Sequence, residues 1–109
     1  MTPDEFFRAD IRVGRILRAE EFPQARKPAY KLLIDFGALG EKRSSAQITA
    51  HYTPAELIGR LVVAVTNFPP RQIASFLSEV LVLGVPDATS GDVILLAPDS
   101  GVPPGTRVF

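Results

Sequence analysis

Three segments of the sequence combine cationic, aromatic and hydrogen-bonding side chains of the kinds that bind extended polymers. They are residues 24–31 (QARKPAYK), residues 42–47 (KRSSAQ) and residues 67–79 (NFPPRQIASFLSE). Aromatic rings can stack on nucleic-acid bases and arginines can contact phosphates. The same side-chain types are also common where proteins contact peptides and other proteins. The three segments therefore predict a binding site for a peptide or for a nucleic acid.

Taken one residue at a time, these segments also allow a simpler interpretation. Phe68 and Phe76 could belong to the core, and the charged side chains could be solvated. The segments favour a binding site only if the fold brings them to one surface.

Catalysis and metal binding are not predicted by any arrangement in the chain. His51 is the only histidine and cysteine is absent, so no Cys/His metal site is expected, and no serine stands in a GxSxG motif. Phosphate-cradling glycine loops are also absent. Glu20 and Glu21 are adjacent, and neighbours on a strand point to opposite faces. We expect His51 to lie at the surface, and we expect a binding protein without enzymatic activity, cofactor or metal.

Charge and hydropathy limit the type of partner. Twelve basic residues balance twelve acidic ones, whereas a general nucleic-acid binder has a basic excess, so any nucleic-acid site must be a local patch. The longest apolar runs have five residues (61–65 and 93–97), and a membrane span needs ~20. The acidic amino-terminal residues lack the apolar region of a secretory signal. We expect one cytoplasmic domain covering residues 1–109, with no membrane insertion.

Short strands must position the binding segments. Alternating or continuous apolar patterns predict strands over residues 10–20, 30–36, 43–49, 61–67, 79–85 and 93–97. Gly14 suggests a bend or bulge in the long first strand. Residues 2–5 and 53–56 both read T-P-x-E, the pattern of a capping box that begins a short helix. The second of these helices is expected to end at Gly59.

The order of these elements predicts the fold. Three strands, a helix and further strands match the OB-fold, a five-stranded Greek-key barrel, with a β-sandwich as the alternative. An OB barrel brings its second and third strands and the connection between its fourth and fifth strands to one face. The three segments would then lie together.

The late strands also predict a partner subunit. Residues 61–65, 80–83 and 93–96 are continuously apolar, which indicates strands covered on both faces. The chain has too little helix to cover them, and two-fold homodimers are the commonest oligomers. We therefore expect a homodimer; the alternative is that these side chains lie under loops.

Several motifs resemble the tRNA-binding OB domain, which occurs alone and attached to methionyl- and phenylalanyl-tRNA synthetases. Asp10–Ile16 is similar to the opening strand of that domain. Asn67–Pro70 matches its Asn-x-x-Pro turn, Ser78–Leu83 its Ser-Glu pair before an apolar strand, and Gly101–Thr106 its terminal segment.

Within that superfamily the sequence resembles the CsaA family of secretion-related chaperones. The shared stretches occur in matching order and spacing along the chain: residues 19–23, 32–37, 44–49, 67–74 and 78–84. The resemblance implies an OB-fold homodimer that binds unfolded or preprotein segments for Sec-dependent secretion and contacts the Sec export machinery. A tRNA-binding module is the alternative function.

The resemblance and the binding segments together give a set of site residues for peptide or tRNA. Asn67, Ser78 and Glu79 match the shared motif, and Ser44, Ser45 and Gln47 match the CsaA pattern, with Arg43, Phe68, Arg71 and Phe76 as further contacts. For tRNA the local bases would be Arg26, Lys27, Lys31, Lys42, Arg43 and Arg71.

One departure from the tRNA-binding pattern bears on this alternative. Val80 and Leu81 stand where those domains usually have Gly-Met. Glycine lets a ligand backbone approach closely and valine does not. This departure and the neutral net charge both weaken the prediction of tRNA binding.

Overall fold

The computed structural model describes residues 1–109 and consists mainly of β-strands. The strands are β1 (Ile11–Glu21), β2 (Tyr30–Asp35), β3 (Glu41–Ala46), β4 (Leu61–Val65), β5 (Arg71–Ile73), β6 (Phe76–Ser78), β7 (Leu81–Val82), β8 (Gly84–Pro86) and β9 (Val93–Leu95). Two short helices, α1 (Pro3–Phe6) and α2 (Pro54–Leu57), and a 3-10 turn (Gly37–Leu39) complete the fold. Neither helix has the length and apolar character needed to cross a membrane.

The long strand β1 organises the main sheet. Its first part pairs with β4, from Ile11 opposite Val65 to Arg15 opposite Leu61, and its second part pairs with β2. The resulting order is β3-β2-β1-β4-β7, with every pair antiparallel. This nearly closed five-stranded barrel confirms the predicted all-β OB-fold.

Alternation along β2 builds the core. Tyr30, Leu32 and Ile34 point inwards together with Phe36, which follows the strand, and all four are buried. Tyr30 donates a hydrogen bond from its hydroxyl to the Tyr52 carbonyl at 2.7 Å. The sequence alternation, which predicts that Tyr30, Leu32, Ile34 and Phe36 share one face, is confirmed.

Gly14 has a different role from the predicted bend or bulge. The register irregularity of β1 lies between Ile16 and Arg18. A Cβ atom at Gly14 would lie 2.5 Å from Ile34 Cγ2 and 2.7 Å from Phe36 Cε1. Glycine is therefore required here because the core packs directly onto the backbone.

The barrel closes along a seam formed by Ser78, Glu79 and Val80 against β3. The Arg43 backbone amide donates to Glu79 Oε1 at 3.0 Å, and the Glu79 amide donates to the Arg43 carbonyl at 2.8 Å. The Ser45 amide donates to Ser78 Oγ at 3.0 Å. The Ser78 and Glu79 side chains thus accept hydrogen bonds from backbone amides at the edge of β3, where a neighbouring strand would otherwise pair.

The region predicted as a strand over residues 79–85 is divided in the structure. Residues 79 and 80 form the seam, and β7 and β8 follow on either side of Leu83. Leu83 bridges the two, because its amide donates to the Val63 carbonyl at 2.8 Å and its carbonyl accepts from Leu96 at 3.1 Å. The prediction of one continuous strand was wrong because the chain leaves β4 and begins the separate β8–β9 hairpin.

The sequence also missed the β5–β6 hairpin inside the segment 67–79. Its strands have three residues each, and Ala74 in the turn adopts φ +52°. Tight hairpin turns usually have Gly or Asn at positions with positive φ, and these residues allow the turn to be predicted. Alanine gave no such signal.

Both predicted capping boxes are present. The Thr2 and Thr53 hydroxyls accept from the Glu5 and Glu56 amides, and each glutamate accepts from its threonine in return. Helix α2 ends at Leu57, close to Gly59 as expected. His51 is exposed beside this cap, as predicted, with its ring centroid 4.9 Å from that of Tyr52.

Candidate binding groove

One surface cavity of about 810 Å³ is lined by all three segments that the sequence singled out. We call this cavity the groove. It lies between the loop after β1, the end of β3, the β5–β6 hairpin, and strands β7 and β9. Its lining residues are Gln24–Lys27, Ala29, Ser45–Ile48, Arg71–Ala74, Leu81, Val82, Val93 and Leu95. The structure thus brings the three segments to one surface, as an OB barrel should.

Backbone hydrogen bonds within the loop after β1 fix its shape beside the groove. The Phe22 amide donates to the Ala29 carbonyl at 3.2 Å, and the Ala25 amide donates to the Phe22 carbonyl at the same distance. Phe22 and Ala29 are buried. The Phe22 ring also packs edge to face on Phe76, with centroids 5.4 Å apart. This contact ties the loop to the hairpin across the end of β3.

The groove has an apolar floor and a polar rim. Ten of its lining residues are hydrophobic, among them the buried Ile48 and Leu95 and the half-buried Ile73. The rim carries the exposed Arg26, Lys27 and Arg71. A cavity of this size, largely apolar with a few polar groups, has the usual properties of a ligand site.

A second, smaller depression lies on the outer face of β1, β2 and β3. We call it the basic–aromatic pocket; its volume is about 100 Å³, and its lining includes Arg18, Lys31, Arg43 and Phe76. Arg43 stands over the Phe76 ring, with 5.7 Å between its Cζ atom and the centroid. Two of the cations have acidic partners: Lys31 lies 4.0 Å from Glu20 and Arg43 lies 3.3 Å from Glu79. These ion pairs reduce the positive potential of the pocket.

The site residues predicted from the sequence fall into separate places. Ser45, Gln47 and Arg71 line the groove. Arg43 and Phe76 line the basic–aromatic pocket. Ser78 and Glu79 lie between the two, where their side chains hold the seam to β3.

Ser44, in contrast, is fully buried. Its hydroxyl donates to the Val80 carbonyl at 3.2 Å. The structure therefore places Ser44 inside the seam, and its side chain does not reach the surface of either cavity.

Asn67 and Phe68 lie outside both cavities. The Asn67 side chain accepts from the Asp10 amide at 2.9 Å and donates to the Arg8 carbonyl at 2.7 Å, so it fixes the chain that enters β1. Phe68 is 51% exposed. The asparagine of the Asn-x-x-Pro motif therefore has a structural role, because it holds the chain in place before β1.

The same entry to β1 contains a charged cluster. A hydrogen bond from Arg12, with Arg107 nearby, holds the pKa of Asp10 below its ordinary value. Arg12 Nε lies 2.7 Å from Asp10 Oδ1. Because these charges pair with one another, the cluster stabilises the packing of the chain ends on β1. No group of three or more His, Cys, Asp or Glu side chains comes together as a metal site.

Sequence reasoning missed part of the groove. Leu81, Val82, Val93 and Leu95 lie outside the three segments and complete the apolar lining. Their apolar runs indicated coverage on both faces, but the sequence could not show that one face lines a cavity. Arg18 of the basic–aromatic pocket was also missed, because it lies within an alternating strand without any motif.

A family model described as "Putative tRNA binding domain" matches residues 11–107 of the chain. Among the solved structures that cover the chain completely are two of CsaA chaperones. The chaperone CsaA from Bacillus anthracis is 51% identical, with a TM-score of 0.92, and 98% of it is covered. The CsaA chaperone protein from Picrophilus torridus is 52% identical, with a TM-score of 0.91, and 99% of it is covered.

Curated relatives include enzymes in which the matching region is a small part. Methionine–tRNA ligase 1 of Sorangium cellulosum is 45% identical over 107 residues, and the methionine–tRNA ligase of Thermotoga maritima is 39% identical over 110. The match covers 98% and 99% of this chain but only 15% and 16% of the ligases. A solved structure of a MetRS related protein from Pyrococcus horikoshii also covers the chain completely, at 28% identity and with a TM-score of 0.86. The ligases share only this module with the chain.

Proposed function

The chain belongs to the CsaA family within the tRNA-binding OB-fold superfamily, and from this premise we propose that it is an export-related chaperone. In this proposal it binds unfolded or preprotein segments for Sec-dependent secretion, acts in the cytoplasm without catalysing a reaction, and passes clients to the Sec export machinery. The observation that carries the proposal is the groove, because loop, strand and hairpin meet there around an apolar floor.

The size and lining of the groove support an extended client. A volume of about 810 Å³ accommodates several side chains. The buried floor residues offer apolar contact, which a segment gains when it leaves water. Unfolded segments expose apolar side chains that a native surface hides, so the groove would recognise them without a fixed sequence.

Filling the groove is expected to weaken client binding. Ala25 lines the groove, so Ala25→Trp should weaken binding of a labelled unfolded segment by about tenfold or more, because a bulky ring would occupy the space of the client. The same variant should lose the ability to suppress aggregation of an unfolded protein. Fluorescence anisotropy and light scattering measure the two effects.

The matched control is Ala38→Trp, which adds the same ring to the exposed 3-10 turn, outside the groove and outside the β8–β9 hairpin. It should bind and protect like the unmodified protein. Equal binding by both variants would contradict the assignment of the groove. Failure of the unmodified protein to bind any unfolded segment would contradict the chaperone function itself.

We also propose that the chain forms a homodimer through one face of the β8–β9 hairpin. The pairing of Val85 with Ile94 places Leu83, Val85, Ile94 and Leu96 on the same outer side. Val85 is 47% exposed and Leu96 is 38% exposed. A contiguous apolar face of this kind usually marks an interaction site, and a second copy is its proposed occupant. Two grooves per dimer would strengthen weak binding of a long client.

Val85→Asp is expected to convert the dimer into a monomer, because a charge would be buried in the interface. Light scattering at micromolar concentration should give twice 11.8 kDa for the unmodified chain and 11.8 kDa for the variant. Ile58→Asp, at another exposed apolar position, is the control and should stay dimeric. A monomeric mass for the unmodified chain would contradict the proposal.

The second candidate function is a tRNA-binding module that uses the basic–aromatic pocket. The observation that favours it is that Arg18, Lys31 and Arg43 line one pocket together with Phe76. The family match and the methionine–tRNA ligase relatives support it further. Ion pairing of Lys31 and Arg43 leaves Arg18 as the cation of this pocket without an acidic partner.

Arg18→Gln is therefore expected to weaken tRNA binding and to flatten its salt dependence. Loss of one phosphate contact should reduce the slope of log K against log salt by about 0.7–0.9. Filter binding at several salt concentrations measures it, with Arg8→Gln as the control outside the pocket. An unchanged slope for Arg18→Gln would place any tRNA contact elsewhere.

A further inference from the structure

The charge of the groove rim distinguishes among the unfolded segments that could enter. Arg26, Lys27 and Arg71 line the groove, and no aspartate or glutamate does. None of the three cations takes part in an ion pair of the chain. In the basic–aromatic pocket, by contrast, acidic partners neutralise Lys31 and Arg43. The groove thus presents an uncompensated positive rim on a protein whose net charge is zero.

The floor sets a second requirement on the client. Ile48 and Leu95 are buried, and Ile73 is half-buried above them. A charged side chain placed on this floor would lose its hydration without gaining a partner. The client residues over the floor must therefore be apolar, and its charges must lie at the rim.

The backbone of the groove wall favours an extended client. Gln47 follows β3 and lines the groove, and neither its amide nor its carbonyl hydrogen bonds within the chain. An extended segment can pair its own backbone with such free groups at a strand end. A helix cannot, because its backbone groups already bond internally.

We propose that the groove selects extended segments in which apolar residues are flanked by carboxylates, and that it disfavours segments flanked by lysine or arginine. This inference rests on the proposed peptide-binding function and names its client class. The basic beginning of a secretory signal would face three cations of the same sign. The preferred sites in a preprotein are then acidic–apolar stretches outside that basic region.

The test uses three labelled peptides of about twelve residues that share one apolar centre. Their flanks carry three aspartates, three serines or three lysines. Exposed ion pairs contribute modestly each, so the three rim pairs together should make the acidic peptide bind at least about tenfold more tightly than the basic one. The serine peptide should lie between them, and the difference should shrink as salt rises.

Charge-reversal variants test whether the rim cations cause the preference for the acidic peptide. Arg26→Glu with Arg71→Glu should reverse the preference, so that the lysine peptide binds best. Arg8→Glu with Arg60→Glu changes the net charge equally at exposed positions outside the groove and should leave the preference intact.

Each remaining outcome overturns the inference in a distinguishable way. Equal binding of the three peptides, or tightest binding of the lysine peptide, would overturn the charge selection and leave peptide binding in place. Binding of no peptide would overturn both. Displacement of the acidic peptide by single-stranded RNA that binds more tightly, and that loses affinity in the Arg26→Glu/Arg71→Glu variant, would make the groove a nucleic-acid site instead.

Discussion

Replacement of Gly14 by alanine is expected to lower the free energy of unfolding by about 1–3 kcal/mol, the usual cost of overpacking a core. The new Cβ would lie 2.5 Å from Ile34 Cγ2 and 2.7 Å from Phe36 Cε1. Both side chains are fully buried, so neither can move without disturbing its neighbours. Urea or thermal denaturation measures the change.

Gly101→Ala is the matched control for this substitution. A Cβ at Gly101 meets no atom within 4 Å, and its backbone does not need positive φ. The control should therefore leave stability within about 0.5 kcal/mol of the unmodified protein. A Gly14→Ala variant as stable as Gly101→Ala would contradict the close packing of Ile34 and Phe36 on β1.

Ser78→Ala and Glu79→Ala are expected to open the seam of the barrel. Removal of the Ser78 hydroxyl leaves the Ser45 amide without its acceptor, and removal of the Glu79 carboxylate does the same to the Arg43 amide. A hydrogen bond contributes about 0.5–1.5 kcal/mol net, and one to a charged group such as the Glu79 carboxylate about 1.5–3 kcal/mol. Each variant should therefore unfold at lower denaturant, and the pair together should lose more than either alone.

These two residues were predicted as ligand contacts, and the same variants distinguish that role from a structural one. Ser75→Ala and Glu21→Ala are controls, since both residues are exposed and make no side-chain hydrogen bond. Reduced stability with unchanged peptide affinity, measured below the unfolding transition, would assign Ser78 and Glu79 to the seam. Reduced affinity at unchanged stability would assign them to the binding site.

Local patterns predicted much of the barrel. The alternation of Tyr30, Leu32 and Ile34 gave the buried face of β2, and the T-P-x-E motifs gave both capped helices. These features depend on residues close together in the chain. Side-chain periodicity and capping act over one or two turns, so they can be recognised in one sequence.

The seam could not be predicted in the same way. Glu79 meets Arg43 across 36 positions, and Ser78 meets Ser45 across 33. Nothing local distinguishes a serine that accepts from a distant strand from one that contacts a ligand. The β5–β6 hairpin was missed for a different reason, because Ala74 adopts φ +52° at a position where hairpin turns usually have Gly or Asn.

The arrangement of the binding segments could be predicted only in part. Their convergence could be predicted from the topology of an OB barrel, and the groove confirms that they meet. The division into a groove and a basic–aromatic pocket could not, since Arg43 and Ser45 share one face of β3 and yet line different cavities. Arg43 and Arg71 were expected on one surface and line different cavities.

The most direct test of the proposed function is a map of amide chemical shifts of the isotope-labelled protein during titration with an unfolded segment. Binding in the groove should shift amides of residues 24–27, 45–48 and 71–74 together, in proportion to occupancy. Shifts confined to the surroundings of Arg18, Lys31 and Phe76, or no localised shifts at saturating peptide, would contradict the account.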